Sequence, residues 1–163
     1  MSARDMWAEV QVPEIEELPA ILASLGLKKQ PDMEDWQDEN NHRIHWALRV
    51  LQYSGYQPVA VLKFDQYICG PYAENLDGAL QKIEWADVLS AYEIDDDRVH
   101  AVREAVQKGD DFLLALSVIV GVHDYNKGST RNDVVGHVTR RMPDLEYVAE
   151  TAYDFAEERI WPK

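Results

Sequence analysis

The chain has 163 residues, enough for one domain with a full core, and at 46% hydrophobic and 10% aromatic it is globular rather than disordered. Its single cysteine, Cys69, excludes an internal disulfide framework and a cysteine-rich zinc site. Thirty acidic against sixteen basic residues give a net charge of −14, a field that repels nucleic-acid phosphates and attracts basic partners.

The charge is uneven. Residues 1–41 hold ten acidic and three basic side chains, a net of −7, and residues 42–163 hold twenty and thirteen, again −7. This divides the chain into an acidic N-terminal segment (1–41), packed on or appended to the rest, and a core domain (42–163). No apolar run has the length of a membrane span and the first residues lack a signal-peptide core, so a cytoplasmic protein is expected.

Residues 1–12 read as a lead-in, with a short strand at 7–12 as one option. Pro13 with Glu14, Glu16 and Glu17 predicts a helix start, with carboxylates at the positive end of the dipole. Ile15, Leu18, Ile21, Leu22 and Leu25 form its apolar side. Pro19 weakens the first turn, and Gly26 suits the C-cap. A long helix is predicted over 33–52, with Ile44, Ala47, Leu48 and Leu51 on one face and Ser54-Gly55 as its stop.

Residues 59–64 read as a short strand entering a tight turn at Gly70-Pro71-Tyr72, the sharpest punctuation in the chain. Gly70 allows a positive φ or a close backbone approach, and Pro71 suits the first turn of a helix. Leu76, Ala79, Leu80 and Ile83 follow at helical spacing. Residues 85–94 fit either a strand or the tail of that helix. Asp95-Asp96-Asp97 is an acidic turn, with Asp97 as the N-cap of a helix over 98–107. Asp110 or Asp111 then caps 112–122, which is apolar almost throughout and reads as the central buried helix. Thr130 and Asp133 have capping-box spacing for the next helix. Pro143 opens the last one, lined by Leu145, Val148, Ala149, Ala152 and Phe155. The expected fold is mainly α: one compact helical domain with a small β element near 59–94, for which a winged-helix-like arrangement is one option.

Chemistry-bearing residues are few. Glu39, His42 and His45 fall at i, i+3 and i+6, which is not the spacing of a zinc-protease helix, and a surface or boundary role fits the histidines better. His123-Asp124 closes the buried helix and is similar to the His-Asp dyad of metal-dependent phosphohydrolases. That reading needs an earlier histidine, His42 or His45, and a later aspartate, Asp133 or Asp154. The other reading is a histidine near the negative end of a helix dipole and an aspartate starting a turn. There is no Gly-x-Ser-x-Gly and no glycine-rich phosphate loop, and Cys69 reads as a buried, inert thiol. Arg131, Arg140 and Arg141 make the one basic cluster, which Arg43 or Arg49 could join in space. Glu74, Asp77, Glu84 and Asp87 against Lys82 give the helix after the turn the wrong field for DNA.

Cys69-Gly70-Pro71-Tyr72-Ala73, followed by Leu76 and Leu80, resembles the YGPYS-then-Leu signature of YwgA-like proteins, relatives of the Panacea domain of SocA-like antitoxins. Cys69 stands for the usual aromatic and Ala73 for the usual serine. Phe112-Leu113-Leu114-Ala115-Leu116-Ser117 is similar to that group's buried LELLAS-type helix, and Met142-Pro143 with a closing helix bearing Ala149 and Ala152 completes a resemblance over about 42–160. The resemblance implies a helical domain that neutralises a partner by binding it.

The function expected is therefore a non-enzymatic acidic interaction protein, without cofactor or metal, that neutralises a basic protein partner. An antitoxin and a phage-type anti-defence inhibitor mimicking nucleic acid are its two settings. The alternative is an HD-like phosphohydrolase using His123, Asp124 and His45. The carboxylates expected to meet the partner are Glu34, Asp35, Asp38 and Glu39, paired one helical turn apart, and Asp95, Asp96 and Asp97.

Overall fold

The structure is a computed structural model that describes residue 15 and residues 17–27, 36–67 and 70–161. Helix α1 spans Leu18–Ser24 and α2 spans Trp36–Tyr53. A two-stranded hairpin follows, β1 (Asp65–Tyr67) and β2 (Gly70–Tyr72). Then come α3 (Glu74–Lys82), α4 (Trp85–Leu89), α5 (Asp97–Gln107), α6 (Asp110–Tyr125), α7 (Arg131–Arg141) and α8 (Glu146–Phe155). A π-helical turn at Ala156–Ile160 extends α8. The fold is mainly α, as the periodicity predicts.

Helix α6 is the axis. Phe112, Leu113, Ala115, Leu116, Val118, Ile119 and Val120 are all buried, so apolar side chains run most of the way round the helix and need cover on several sides. Helices α2, α5, α7, α8 and strand β2 supply it. Each such side chain larger than alanine, fully buried, contributes about 1.5–3 kcal/mol of transfer free energy. Leu18, Ile21, Leu22, Leu25 and Leu27, on and just after α1, join the same core, and α1 packs on α4 and α5.

Helices α2 and α6 lie side by side in the same direction, and polar pairs tie them at both ends. Near their starts, Arg43 of α2 grips Asp110 of α6 with two bonds, Nε to Oδ1 at 2.7 Å and Nη2 to Oδ2 at 2.8 Å. The guanidinium holds the Asp110 carboxyl below the usual carboxylate range. Near their ends, Arg49 Nη2 donates to Asp124 at 3.0 Å, and Tyr53 bonds His123.

The β element departs from the sequence reading. Residues 59–64 form no strand; Gln57–Val59 is a 3-10 turn with Pro58 in it. The reason lies in two side-chain amides. Gln52 Nε2 donates to the carbonyls of Val59 (3.1 Å) and Leu62 (2.6 Å), and Asn75 bonds Lys63 N–H (3.2 Å) and Val61 O (3.1 Å). Those groups are then not available to a ladder. The strands lie further on, with Asp65 opposite Tyr72 and Tyr67 opposite Gly70.

Gly70-Pro71-Tyr72 is thus strand β2, not a helix start. Pro71 lacks a donor, which the outer edge of a two-stranded ladder tolerates. Gly70 has φ +104°, and a Cβ there would stand 2.7 Å from both Leu114 Cδ1 and Trp46 Nε1. The hairpin therefore lies directly on α2 and α6 at the one residue type that permits it.

Smaller differences concern caps. Asp96, not Asp97, is the N-cap of α5, accepting from Arg98 N–H at 2.8 Å. Of the two readings left open for 85–94, Trp85–Leu89 is helical, as a separate helix and not the tail of α3. Pro143 opens a 3-10 turn, Pro143–Leu145, and α8 begins after it. The Thr130–Asp133 capping box is present at the start of α7. Among the described residues no helix is long and apolar enough to cross a membrane.

Candidate functional site

The acidic residues expected to meet a partner fall into three groups. Glu34 and Asp35 lie outside the described residues. Asp38 and Glu39 lie in the first turn of α2, with their side chains outside the described residues. Asp95, Asp96 and Asp97 lie together, but they do different work. Asp96 is structural: it caps α5 and bonds the Arg98 guanidinium at 2.8 Å, which holds its carboxyl below the usual range. Arg98 in turn donates to Gly55 O at 3.0 Å and lies over the Tyr56 ring, so the pair fastens α5 to the end of α2. Asp95 is fully exposed, 3.4 Å from His100 Nε2, and Asp97 is exposed on the first turn.

Two apolar side chains that sequence reasoning missed extend this surface. Leu89 at the end of α4 is 47% exposed and Tyr92 just beyond it is 62% exposed. Residues 84–97 contain six acids and no Lys or Arg, and of these Glu84, Asp87, Glu93, Asp95 and Asp97 are exposed. Glu17 ties the segment down: it accepts from Tyr56 OH at 3.0 Å and faces Tyr92 OH at 3.4 Å. Burial, with that carboxylate beside it, pushes the Tyr56 phenol up to about 12. The signal for an exposed Leu89 was available only weakly: α4 has five residues, too few for a periodicity.

The dyad His123-Asp124 closes α6, as its position predicts. Its groups are committed to α2 and the C-terminal segment. His123 Nδ1 bonds Tyr53 OH, and its ring stacks on Trp161 at 4.2 Å between centroids. Asp124 accepts from Arg49, which also donates to Gln52 Oε1 at 3.0 Å and lies over the Phe64 ring.

His45 is not at the dyad. It lies two turns before Tyr53 on α2, about 12 Å along the axis. It is fully buried, stacked on Tyr72 at 4.0 Å and 7°. Its Nδ1 accepts from Ala73 N–H at 2.9 Å and its Nε2 faces Asp77 Oδ1 at 3.0 Å. An acceptor Nδ1 places the proton on Nε2, so the ring is neutral and donates to Asp77. Burial pushes its pKa down, against the pull of Asp77. The other residues considered for the dyad are also engaged: Asp133 in its capping box, and Asp154 with Arg131 at 3.2 Å. Among the described residues no group of three or more His, Cys, Asp or Glu is arranged to hold a metal ion.

The basic cluster read from the sequence separates in space. Arg131 pairs with Glu150 and Asp154, Arg43 with Asp110, and Arg49 with Asp124. Arg140 and Arg141 remain, and with His137 they border a cavity of about 780 Å³ between α6 and α7.

The protein is mainly α, and its segment 84–97 exposes five carboxylates together with Leu89 and Tyr92. Among protein-family models, that of the Tfa2 E-tether matches residues 4–28, a short stretch at the N-terminus that ends just after α1 and does not show a family for the chain. No curated protein matches, and no solved structure matches. No YwgA-like or Panacea model matches either, which overturns that resemblance. Its signature residues are packing and turn signals, and here they serve a different local structure: Gly70-Pro71-Tyr72 is a strand of a hairpin rather than the entrance to a helix.

Proposed function

We propose that this is a non-enzymatic interaction protein that binds a basic protein partner and neutralises it by covering its surface. The observation that carries the reading is the segment 84–97. Leu89 and Tyr92 stand exposed among Glu84, Asp87, Glu93, Asp95 and Asp97, without a Lys or Arg in the stretch. A leucine and a tyrosine left exposed in a stretch whose own charges are all negative have the composition of a recognition segment, with Glu93 partly offset by Arg103 at 2.6 Å. The carboxylates speed encounter with a positive surface, and Leu89 and Tyr92 provide the contacts that hold. Asp96 is reassigned from contact to support. An inhibitor that offers carboxylates where its target expects phosphates belongs to this class. Family support for an antitoxin role falls with the Panacea resemblance. Phosphohydrolysis at His123 and Asp124 has less support, since Tyr53 and Arg49 hold both residues.

The test is paired capture from a host lysate. Wild type, Leu89→Ala/Tyr92→Ala, Asp95→Lys/Asp97→Lys and a control reversal elsewhere, Glu157→Lys/Glu158→Lys, are compared at low salt. The expected result is a basic protein retained by wild type and the control and lost by the first two variants. Equal retention by all four, with every variant folded, contradicts the proposal.

A further inference from the structure

The cavity between α6 and α7 has a composition at odds with the rest of the molecule. Val118 and Val122 of α6 and Met142 give it apolar lining, and Asp133, His137, Arg140 and Arg141 of α7 give it polar and charged lining. At about 780 Å³ it has the size of a small-molecule pocket. Arg43, Arg49, Arg98, Arg103, Arg131 and Arg159 each pair with a carboxylate. Arg140 and Arg141 differ from these in having no carboxylate within ion-pair distance among the described residues, although Arg140 lies near enough to Asp133 to help Thr130 draw that carboxyl down. The helix dipole favours cations at the end of α7. It does not account for two guanidinia and an imidazole gathered around one cavity. Asp133 also lines the cavity, one turn before His137, but its carboxyl is bonded within the capping box of Thr130.

We infer that this cavity binds a small amphipathic anion, a carboxylate with a hydrocarbon or aryl body, its head on Arg140 and Arg141 and its body on Val118, Val122 and Met142. The guanidinium is the side chain best shaped for a carboxylate, which it can meet with two parallel bonds. Burial and the two arginines hold the pKa of His137 down, so the unliganded cavity carries its positive charge on the arginines, and an anion there would let His137 protonate and add a third donor. Asp133 and the Tyr125 phenol are the other titratable groups on the wall. The site is separate from the 84–97 face and does not depend on the partner proposed for it.

The test uses the full chain and decanoate as the probe, with decanol as its uncharged counterpart, in isothermal titration calorimetry. Decanoate is expected to bind one to one, with decanol weaker by about tenfold or more, the worth of a charge-assisted pair. Arg140→Ala/Arg141→Ala is expected to weaken decanoate by at least about tenfold and to leave decanol unchanged. Val122→Phe, which adds bulk to the apolar lining, is expected to weaken both, and a circular dichroism spectrum matching wild type shows the variants folded. Three outcomes overturn the inference: no heat from decanoate up to its solubility limit, equal affinity for acid and alcohol, or decanoate binding indifferent to loss of both arginines.

Discussion

The backbone N–H of Ala73 donates to Nδ1 of His45 across 2.9 Å, and this bond fixes the charge state of a histidine with no exposure to water. Protonating Nδ1 would cost both that bond and the burial of a charge. The same ring donates to Asp77, so one side chain of α2 holds the junction of β2 and α3. His45 is a fastening rather than a catalytic group.

A pH dependence follows. The folded-state pKa of His45 lies below its ordinary value of 6.5, so the unfolded chain takes up the proton first. Stability is fully present above about pH 6.5 and falls as the pH drops from there toward the folded-state value. His137 is shifted in the same direction and adds to the slope. Asp96 and Asp110 are held below 3.8 and lose their contribution only at lower pH. Urea unfolding at steps between neutral pH and pH 5 should show the loss in wild type and a shallower loss in His45→Gln. Parallel slopes for the two proteins would contradict this role.

Gly70 and Gly26 offer a comparison between crowding and conformation. Both have positive φ, +104° and +79°. A methyl at Gly26 meets nothing within 4 Å, whereas one at Gly70 meets Leu114 and Trp46 at 2.7 Å. Gly26→Ala should cost about 1 kcal/mol, and Gly70→Ala about 2 kcal/mol or more, measured by chemical denaturation. Equal costs would show that the hairpin can retreat from α2 and α6 without penalty.

Helix α6 was legible because its apolar character is continuous from Phe112 to Val122, and no long-range information is needed to bury it. The capping box at Thr130 and Asp133 was legible for the same reason: the signal and its effect are three residues apart. The hairpin was not. Its strands are three residues each, and the run that resembled a strand is satisfied by Gln52 and Asn75, residues outside it. The same limit hid the role of His45, whose partners are 28 and 32 residues away. It also hid the sorting of the arginines, which depends on which carboxylates the fold brings near Arg43, Arg49 and Arg131. The Asp96 and Asp97 exchange is simpler: adjacent aspartates serve equally well as caps, and the guanidinium of Arg98 selects the first.

The dyad at the end of α6 gives a stability prediction and a metal prediction. Tyr53→Phe removes the bond to His123 and should cost about 0.5–1.5 kcal/mol. A double-mutant cycle on Arg49 and Asp124 should give a coupling of about 0.5–1 kcal/mol, because Asp124 is half in solvent. Elemental analysis of the purified protein should find no stoichiometric divalent metal. A stoichiometric manganese, iron or nickel that is lost in His123→Ala would reverse the assignment and make the dyad a metal centre.

Core specificity is tested at Ala115, which is fully buried on α6. Ala115→Asp places a carboxylate at a position with no exposure to water and should prevent folding at neutral pH. Ala115→Gly should fold with a loss of about 1 kcal/mol, read by thermal unfolding. A cooperative transition for Ala115→Asp near that of wild type would show that α6 is not the axis of the core.

The central claim is that residues 84–97 are the face that meets a basic partner. Hydrogen exchange, followed by mass spectrometry on the captured complex and on the free protein, tests it most directly. The account predicts protection on binding across 84–97, centred on Leu89 and Tyr92, and a complex that weakens steeply as salt is raised. Protection confined to other segments, with 84–97 exchanging at the same rate bound and free, would contradict it.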